Sequence, residues 1–151
     1  RSLRLPTIAI RPGKPNAATT SFVSSIIREP LQGQRANCPV SPDVKLWIHS
    51  PEKVTDNFIH AAQIPAQAFK STRVVNLPGI TVTVKDMVDA LEAVAGKEAA
   101  ARIDWEPDAF LQSIVLTFPR EFETDKALAL GFHGDASLEE VIHSFVENEL
   151  A

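Results

Sequence analysis

Apolar residues follow two different spacings along this chain. Short runs rich in β-branched residues predict strands at residues 3–11, 36–40, 45–49, 73–77, 80–82 and 101–105. Longer stretches with helical spacing predict helices that start near Thr20 or Ser21 and at Pro51, Val84 and Leu138, and residues 110–116 favour a further helix. Because strands alternate with helices, the pattern predicts the α/β class with at least some parallel pairing.

Capping residues mark the ends of several predicted helices. Ser50-Pro51-Glu52 combines a capping serine, a proline at the first helical position and a carboxylate at the positive end of the helix dipole. Thr83 caps the next strong helix, which stops at Gly96, and a capping box follows Ser137. Pro30 and Gly33 are predicted to end the first helix.

Composition narrows the classes of function. The chain has 151 residues, 44% of them hydrophobic, and a formal net charge of -4, with lysine and arginine scattered along it. A nucleic-acid surface would need a basic patch, so nucleic-acid binding is not expected. The single cysteine, Cys38, cannot form a disulfide within the chain, and no apolar run is long enough to span a membrane. A cytoplasmic location is therefore expected.

Four segments together resemble one enzyme family. LRLPTIAIRPGKPN (3–16), KLWIHSPEKVTDNFIHAA (45–62), RVVNLPGITVTVKDMVDAL (73–91) and ETDKALALGFHGDASLEEVI (123–142) are similar, in order and spacing, to the C-terminal half of extended short-chain dehydrogenases. This is the NAD-dependent epimerase/dehydratase family. The resemblance implies the C-terminal portion of a Rossmann-type doubly wound fold, contributing about two sheet strands, plus a small α+β substrate-binding lobe. It covers nearly all of residues 1–151.

The first predicted strand is followed by the loop Arg11-Pro12-Gly13-Lys14-Pro15-Asn16 and then by Ala17-Ala18. This loop resembles that of the D-erythronate dehydrogenase branch, whose members are often labelled nucleoside-diphosphate-sugar epimerases. The resemblance implies that the Pro12 backbone flanks the nicotinamide of NAD, and that Lys14 and Asn16 bind a small sugar-acid substrate. A lysine ammonium suits a carboxylate, and an asparagine amide can both donate to and accept from a hydroxyl. The plainer interpretation is a solvated loop lysine and an asparagine that caps a turn.

The catalytic parts of the family are expected outside this chain. The family's Tyr-x-x-x-Lys pair has no counterpart here, since the chain contains no tyrosine, and no glycine-rich dinucleotide loop follows a strand. The resemblance therefore implies a partner, the N-terminal NAD-binding Rossmann half of the same enzyme, in a complete enzyme that is a homo-oligomer. Segment 3–11 is predicted to be a buried parallel strand that needs neighbours from that half.

Two other functions stay open on the sequence alone. One is a portion of a nucleotide-sugar epimerase or dehydratase with the same fold, although Lys45-Leu46 replaces the Arg-Asp pair typical of those enzymes. The other is a non-catalytic truncated or split chain that acts only with an upstream partner. No metal site is predicted, because the histidines are isolated in the sequence.

Overall fold

A computed structural model describes residues 1–14, 16 and 18–150. Within them the strands are β1 (Ser2–Arg4), β2 (Thr7–Ile8), β3 (Ala36–Cys38), β4 (Lys45–His49), β5 (Val74–Asn76), β6 (Ile80–Thr83) and β7 (Ile103–Trp105). The helices are α1 (Ser21–Leu31), α2 (Pro51–Gln63), α3 (Val84–Ala95), α4 (Lys97–Ala100), α5 (Ala109–Val115), α6 (Asp125–Ala129) and α7 (Leu138–Phe145). A 3₁₀ turn spans Ala66–Phe69 and a π-helical turn spans Val146–Leu150. The predicted α/β class is confirmed.

The strands form three small sheets, and most of their pairings are parallel. β1 pairs with β5 in parallel, with Leu3 opposite Val75. β4 lies between β2, which is parallel to it, and β6, which is antiparallel. β3 and β7 form a separate parallel pair. The predicted parallel pairing is therefore confirmed, and part of the first strand segment meets part of segment 73–77 in β1 and β5.

Segment 3–11 differs from its prediction, because it is not one continuous strand. It divides at Leu5-Pro6 into β1 and β2, which join different sheets. Proline has no N–H to donate to a ladder, so the chain leaves the first sheet there. Within this chain Ser2, Arg4 and Leu5 are exposed, and the predicted burial of the segment by strands of the upstream half stays a prediction. Only the stretch from Ala9 to Ile10 reaches the core.

The core consists of two hydrophobic clusters, one around β4 and the other around β5. The larger one packs the apolar faces of α1, α3 and α7 against β4 and the residues after β2, and includes Val23, Ile27, Met87, Leu91 and Ile142. The smaller one joins α2, β5 and α6, and contains Phe69, Leu77 and Phe132. At their junction Gly79 is required, because an added Cβ would lie 2.7 Å from both the Ile48 carbonyl oxygen and Pro6 Cγ.

The predicted helix ends are largely confirmed. Ser50 accepts a hydrogen bond from Lys53 N at the start of α2, and Ser137 accepts one from Glu140 N at the start of α7. The prediction for α1 needs correction, because Thr20 makes no side-chain capping bond and Pro30 lies inside the helix. Residues 101–102 are not part of a strand, since Ala101 ends α4 and β7 starts at Ile103. The segment predicted as a helix at 110–116 forms α5.

Replacing Thr83 with alanine should lower the free energy of unfolding by about 1 kcal/mol, the usual cost of losing an N-cap. Thr83 and Asp86 form a reciprocal capping box at the start of α3. Thr20→Ala is the matched control, because Thr20 occupies the N-cap position of α1 without a side-chain bond. Urea denaturation, monitored by tryptophan fluorescence, measures the free energy of unfolding of both variants. Equal losses in the two would show that the Thr83 cap is not the source of the effect.

Candidate functional site

A cavity of about 300 Å³ lies where two parallel strands end. Ile10 and Pro12 follow β2, while Pro51 and Glu52 follow β4, and all four line the cavity. Because β2 and β4 run in parallel, their carboxyl ends lie at the same edge of the sheet. Ligands of open α/β sheets bind at this edge, so the cavity is the candidate functional site.

The second wall of the cavity comes from the end of the chain. Ser144 and Phe145 of α7 line it, as do Asn148 and Glu149 of the π-helical turn. The Ser144 hydroxyl donates to the Glu52 carboxylate, and Asn148 Nδ2 donates to the Ser144 carbonyl oxygen at 2.8 Å. The charged groups in the lining are thus the carboxylates of Glu52 and Glu149. Such a lining attracts a cationic group and repels a free carboxylate.

The backbone at the mouth of the cavity is strained. Ile10 has a φ of 58°, which places a β-branched residue in the left-handed region. Its side chain is buried and also lines the cavity. Conformations of this kind cost of order 1–3 kcal/mol and persist only when the surrounding structure enforces them. The turn at Ile10 therefore sets the direction in which the Pro12 loop leaves β2.

The structure separates the three residues that the sequence analysis assigned to a site. Pro12 lines the 300 Å³ cavity, whereas Asn16 lines another cavity of about 340 Å³ near Ser21 and Asn37. Lys14 is exposed and lines neither of them. Asn16 Oδ1 accepts a hydrogen bond from Ala18 N at 2.9 Å, which is the turn geometry of the plainer interpretation. Pro15 and Ala17 lie outside the described residues. The site roles of Pro12, Lys14 and Asn16 remain predictions.

A buried polar network lies directly before Pro51 and Glu52, which form one wall of the cavity. His49 Nδ1 donates to Asp135 Oδ2 at 2.6 Å, and Ser50 N donates to the same oxygen at 2.8 Å. Asn57 Nδ2 donates to His49 Nε2 at 3.1 Å and to the His133 carbonyl oxygen at 2.7 Å. Asn57 Oδ1 accepts from His133 N, so the amide orientation is fixed. This pattern corresponds to an imidazole that carries its proton on Nδ1.

The charge of Asp135 is stabilised by this network. Burial by itself would raise the pKa of the Asp135 carboxyl, but the hydrogen bonds from His49 and Ser50 outweigh it and hold the pKa below its ordinary value. The network joins the end of β4, the start of α2 and the loop before α7. It therefore fixes the position of Pro51 and Glu52, which follow Ser50 directly and form one wall of the cavity.

Sequence reasoning missed these residues for a physical reason. Asp135 lies 85 positions from Ser50, and no local pattern connects them. The signal present in the sequence was a histidine directly after the apolar residues Leu46 to Ile48 of a strand, followed directly by a helix cap. Gly131, with a φ of 84°, follows the C-cap of α6 at Leu130. The described part of the chain contains no cluster of three metal-ligating side chains.

The fold of this chain matches part of a solved enzyme structure. The solved structure of a nucleoside-diphosphate-sugar epimerase from Agrobacterium tumefaciens superimposes with a TM-score of 0.95 at 41% identity. The match covers 98% of this chain and 43% of that protein. The fold is the C-terminal part of the Rossmann-like epimerase/dehydratase fold, with about two of its sheet strands in β1 and β5.

The particular relatives are dehydrogenases. The chain is 49% identical to the D-erythronate dehydrogenase of Cupriavidus necator over 148 residues and 48% identical to that of Haemophilus influenzae. Each match covers 98% of this chain, which spans about half the length of these curated relatives, 46% and 47%. No protein-family model matches the chain. The resemblance to the D-erythronate dehydrogenase branch is confirmed. Among the helices of the described residues, none is long and apolar enough to cross a membrane.

Proposed function

We propose that this chain is the substrate-side portion of an NAD-dependent dehydrogenase that oxidises a small sugar acid such as D-erythronate. The observation that carries the proposal is the identity of nearly half of all positions with two D-erythronate dehydrogenases across almost the whole chain. The position of the cavity at the carboxyl ends of β2 and β4 supports it, because dinucleotide enzymes of this class bind their ligands at that edge.

The chemistry of the cavity fits one part of NAD. Ile10, Pro12 and Phe145 offer apolar walls to a flat ring, and Glu52 and Glu149 complement the positive charge of oxidised nicotinamide. When bound, NAD supplies the acceptor for the substrate hydride. The carboxylates of Glu52 and Glu149 repel the carboxylate of a sugar acid from this cavity. The substrate carboxylate is therefore expected on the Lys14 side of the loop. Pro12 would then separate the cofactor from the substrate.

The proton chemistry is assigned to residues upstream of Arg1. In the family a tyrosinate takes the hydroxyl proton and a lysine lowers the tyrosine pKa, and this chain has no tyrosine. We therefore propose that residues 1–151 form the substrate-binding portion and that an N-terminal NAD-binding portion completes the enzyme, which is a cytoplasmic homo-oligomer. We call the protein that carries both portions the extended protein.

Lys14→Ala in the extended protein should weaken capture of the acid substrate by about tenfold or more, since a charge-assisted hydrogen bond is worth roughly 1.5–3 kcal/mol. Affinity for NAD should change little, because Lys14 does not line the cavity next to Pro12. Steady-state kinetics with D-erythronate and NAD titration measure the two effects separately. Lys97→Ala is the control, since Lys97 is an exposed lysine on α4. Unchanged kinetics in Lys14→Ala would make Lys14 an ordinary surface lysine.

A second candidate function is a nucleotide-sugar epimerase or dehydratase portion, favoured by the structural match to the Agrobacterium tumefaciens epimerase. Lys45 and Leu46 weaken it, because Lys45 is exposed and Leu46 is buried in the core, so neither reproduces an Arg-Asp pair. Assaying the extended protein with D-erythronate and with a nucleoside-diphosphate sugar, each in the presence of NAD, separates the two functions. Turnover of the nucleotide sugar without any turnover of D-erythronate would contradict the proposed dehydrogenase function.

A further inference from the structure

Helix α1 holds the loop segment that starts at Arg11 by a row of side chains. Ser24 Oγ accepts a hydrogen bond from Arg11 N at 3.1 Å, and Arg28 Nη1 donates to the Arg11 carbonyl oxygen at 2.6 Å. Ser21 Oγ accepts from Asn16 N at 3.1 Å. The spacing of Ser21, Ser24 and Arg28 along α1 places them on one helix face. Both backbone polar groups of Arg11 are therefore fixed by the same helix.

The burial of Arg28 indicates that this contact matters. Its side chain is only 4% exposed, and Glu29, which accepts from Arg28 Nη2 at 2.6 Å, is 8% exposed. Burying such a pair is costly, and it adds little to stability compared with apolar side chains of the same size. Among the described residues, the Arg11 carbonyl is the hydrogen-bond partner of the Arg28 guanidinium besides Glu29. A purely structural helix face would be served better by an apolar residue.

The bonds to Arg11 also explain how the strained turn before it persists. Ala9 N donates to the His49 carbonyl oxygen at 2.9 Å on one side of Ile10, and the bonds from Ser24 and Arg28 fix Arg11 on the other side. Ile10 is thus held between two anchored residues while its own φ is 58°. A strained residue needs this kind of enforcement from its neighbours.

We propose that Ser24 and Arg28 are positioning residues, which hold the Ile10 turn so that Pro12 faces the cavity and Lys14 faces the substrate. This inference rests on the proposed function for the identity of the ligands. Neither residue needs to touch a ligand. They act through the backbone of Arg11, and Glu29 serves to neutralise the buried Arg28.

The test uses two variants of the extended protein. Arg28→Met combined with Glu29→Gln removes the donor to Arg11 and leaves no uncompensated buried charge, which keeps the fold accessible. Ser24→Ala removes one small hydroxyl and is the gentler variant. The matched control is Arg35→Met combined with Asp104→Asn, which removes an ion pair from the exposed surface between β3 and β7.

Amide hydrogen exchange and kinetics are read together. In the Arg28/Glu29 double variant, exchange at the Arg11 amide should rise about fivefold or more, although its own acceptor Ser24 is untouched, while the amides of α3 keep their rates. In both variants the KM for the sugar acid should also rise about fivefold or more. The Arg35/Asp104 control should change neither the exchange rate of the Arg11 amide nor the KM.

Two outcomes would overturn the inference. One is an unchanged exchange rate at Arg11, or a rate that rises equally in α3, since this would mean general destabilisation. The other is a local rise in exchange in an active enzyme whose kinetics stay unchanged. If the unmodified extended protein oxidises no sugar acid, the proposed function fails, and the exchange data still decide whether Ser24 and Arg28 hold the segment.

Discussion

Asp135→Ala is expected to lower the free energy of unfolding by about 2–5 kcal/mol. The substitution leaves His49 Nδ1 and Ser50 N buried without an acceptor, and each such donor costs about 1–3 kcal/mol. Removing the buried carboxylate also removes its own desolvation cost, so the sum stays below the upper limit. Urea denaturation measures the loss. Asp104→Ala is the control, because Asp104 pairs with Arg35 on the exposed surface. We expect little change in the control, since exposed pairs contribute little.

The same network should make stability depend on acid. Hydrogen bonds hold the pKa of Asp135 below its ordinary value of 3.8, so the folded state binds the proton more weakly than the unfolded state. Its contribution is therefore fully present above the ordinary pKa and is lost as pH falls through the lower folded-state pKa. Asp135→Asn should remove this part of the acid dependence. Asp135→Ala with no effect on stability at neutral pH would show that the network is not needed for the fold.

Local sequence signals were sufficient for most helices of this chain. Ser50-Pro51, Thr83 and Ser137 each start a helix at the predicted position, because a cap and the apolar stripe behind it lie within a few residues of each other. The short helices α4 and α6 were not predicted. They have four and five residues, which is too few for a helical apolar stripe to emerge from the sequence.

Strand boundaries were harder to predict, because they depend on partners distant in the sequence. Segment 3–11 reads as one apolar strand, and Pro6 alone signals the break. The chain passes there from a sheet with β5 to a sheet with β4, and Gly79 leaves room for the crossing. No property of residues 3–11 determines which strand each half will pair with.

The candidate site could be placed only in part. The Pro12 loop was predicted at the end of a strand, and the structure puts Pro12 beside a cavity at the end of β2. The opposite wall, formed by Ser144 and Asn148, lies more than a hundred residues further along the chain. The bond between Glu52 and Ser144 spans 92 positions. Such contacts follow from the packing of α7 against the rest of the fold, which periodicity cannot reveal.

The 151-residue chain alone is expected to form no detectable NADH from D-erythronate, and the extended protein is expected to restore the activity. The chain has no tyrosine to act as the general base, and base catalysis alone contributes about 10²–10⁴-fold. Among the described strands, β1 is paired only with β5, so its other edge is open to a strand from the upstream portion. An upstream strand added there would extend the parallel sheet beyond β1.

The measurement compares three samples by NADH absorbance and NAD titration: the chain alone, the chain mixed with a separately produced upstream portion, and the extended protein. Confirming the intact mass of the chain excludes contaminating longer material. Activity in the mixture would indicate that the two portions assemble without a covalent link, as a split enzyme would. An extended protein that does not bind NAD would favour the non-catalytic alternative, whereas one that binds NAD but oxidises no sugar acid would favour the nucleotide-sugar alternative. D-erythronate-dependent NADH formation by the chain alone would contradict the assignment of the proton chemistry to the upstream portion, because every catalytic group would then have to lie within residues 1–151.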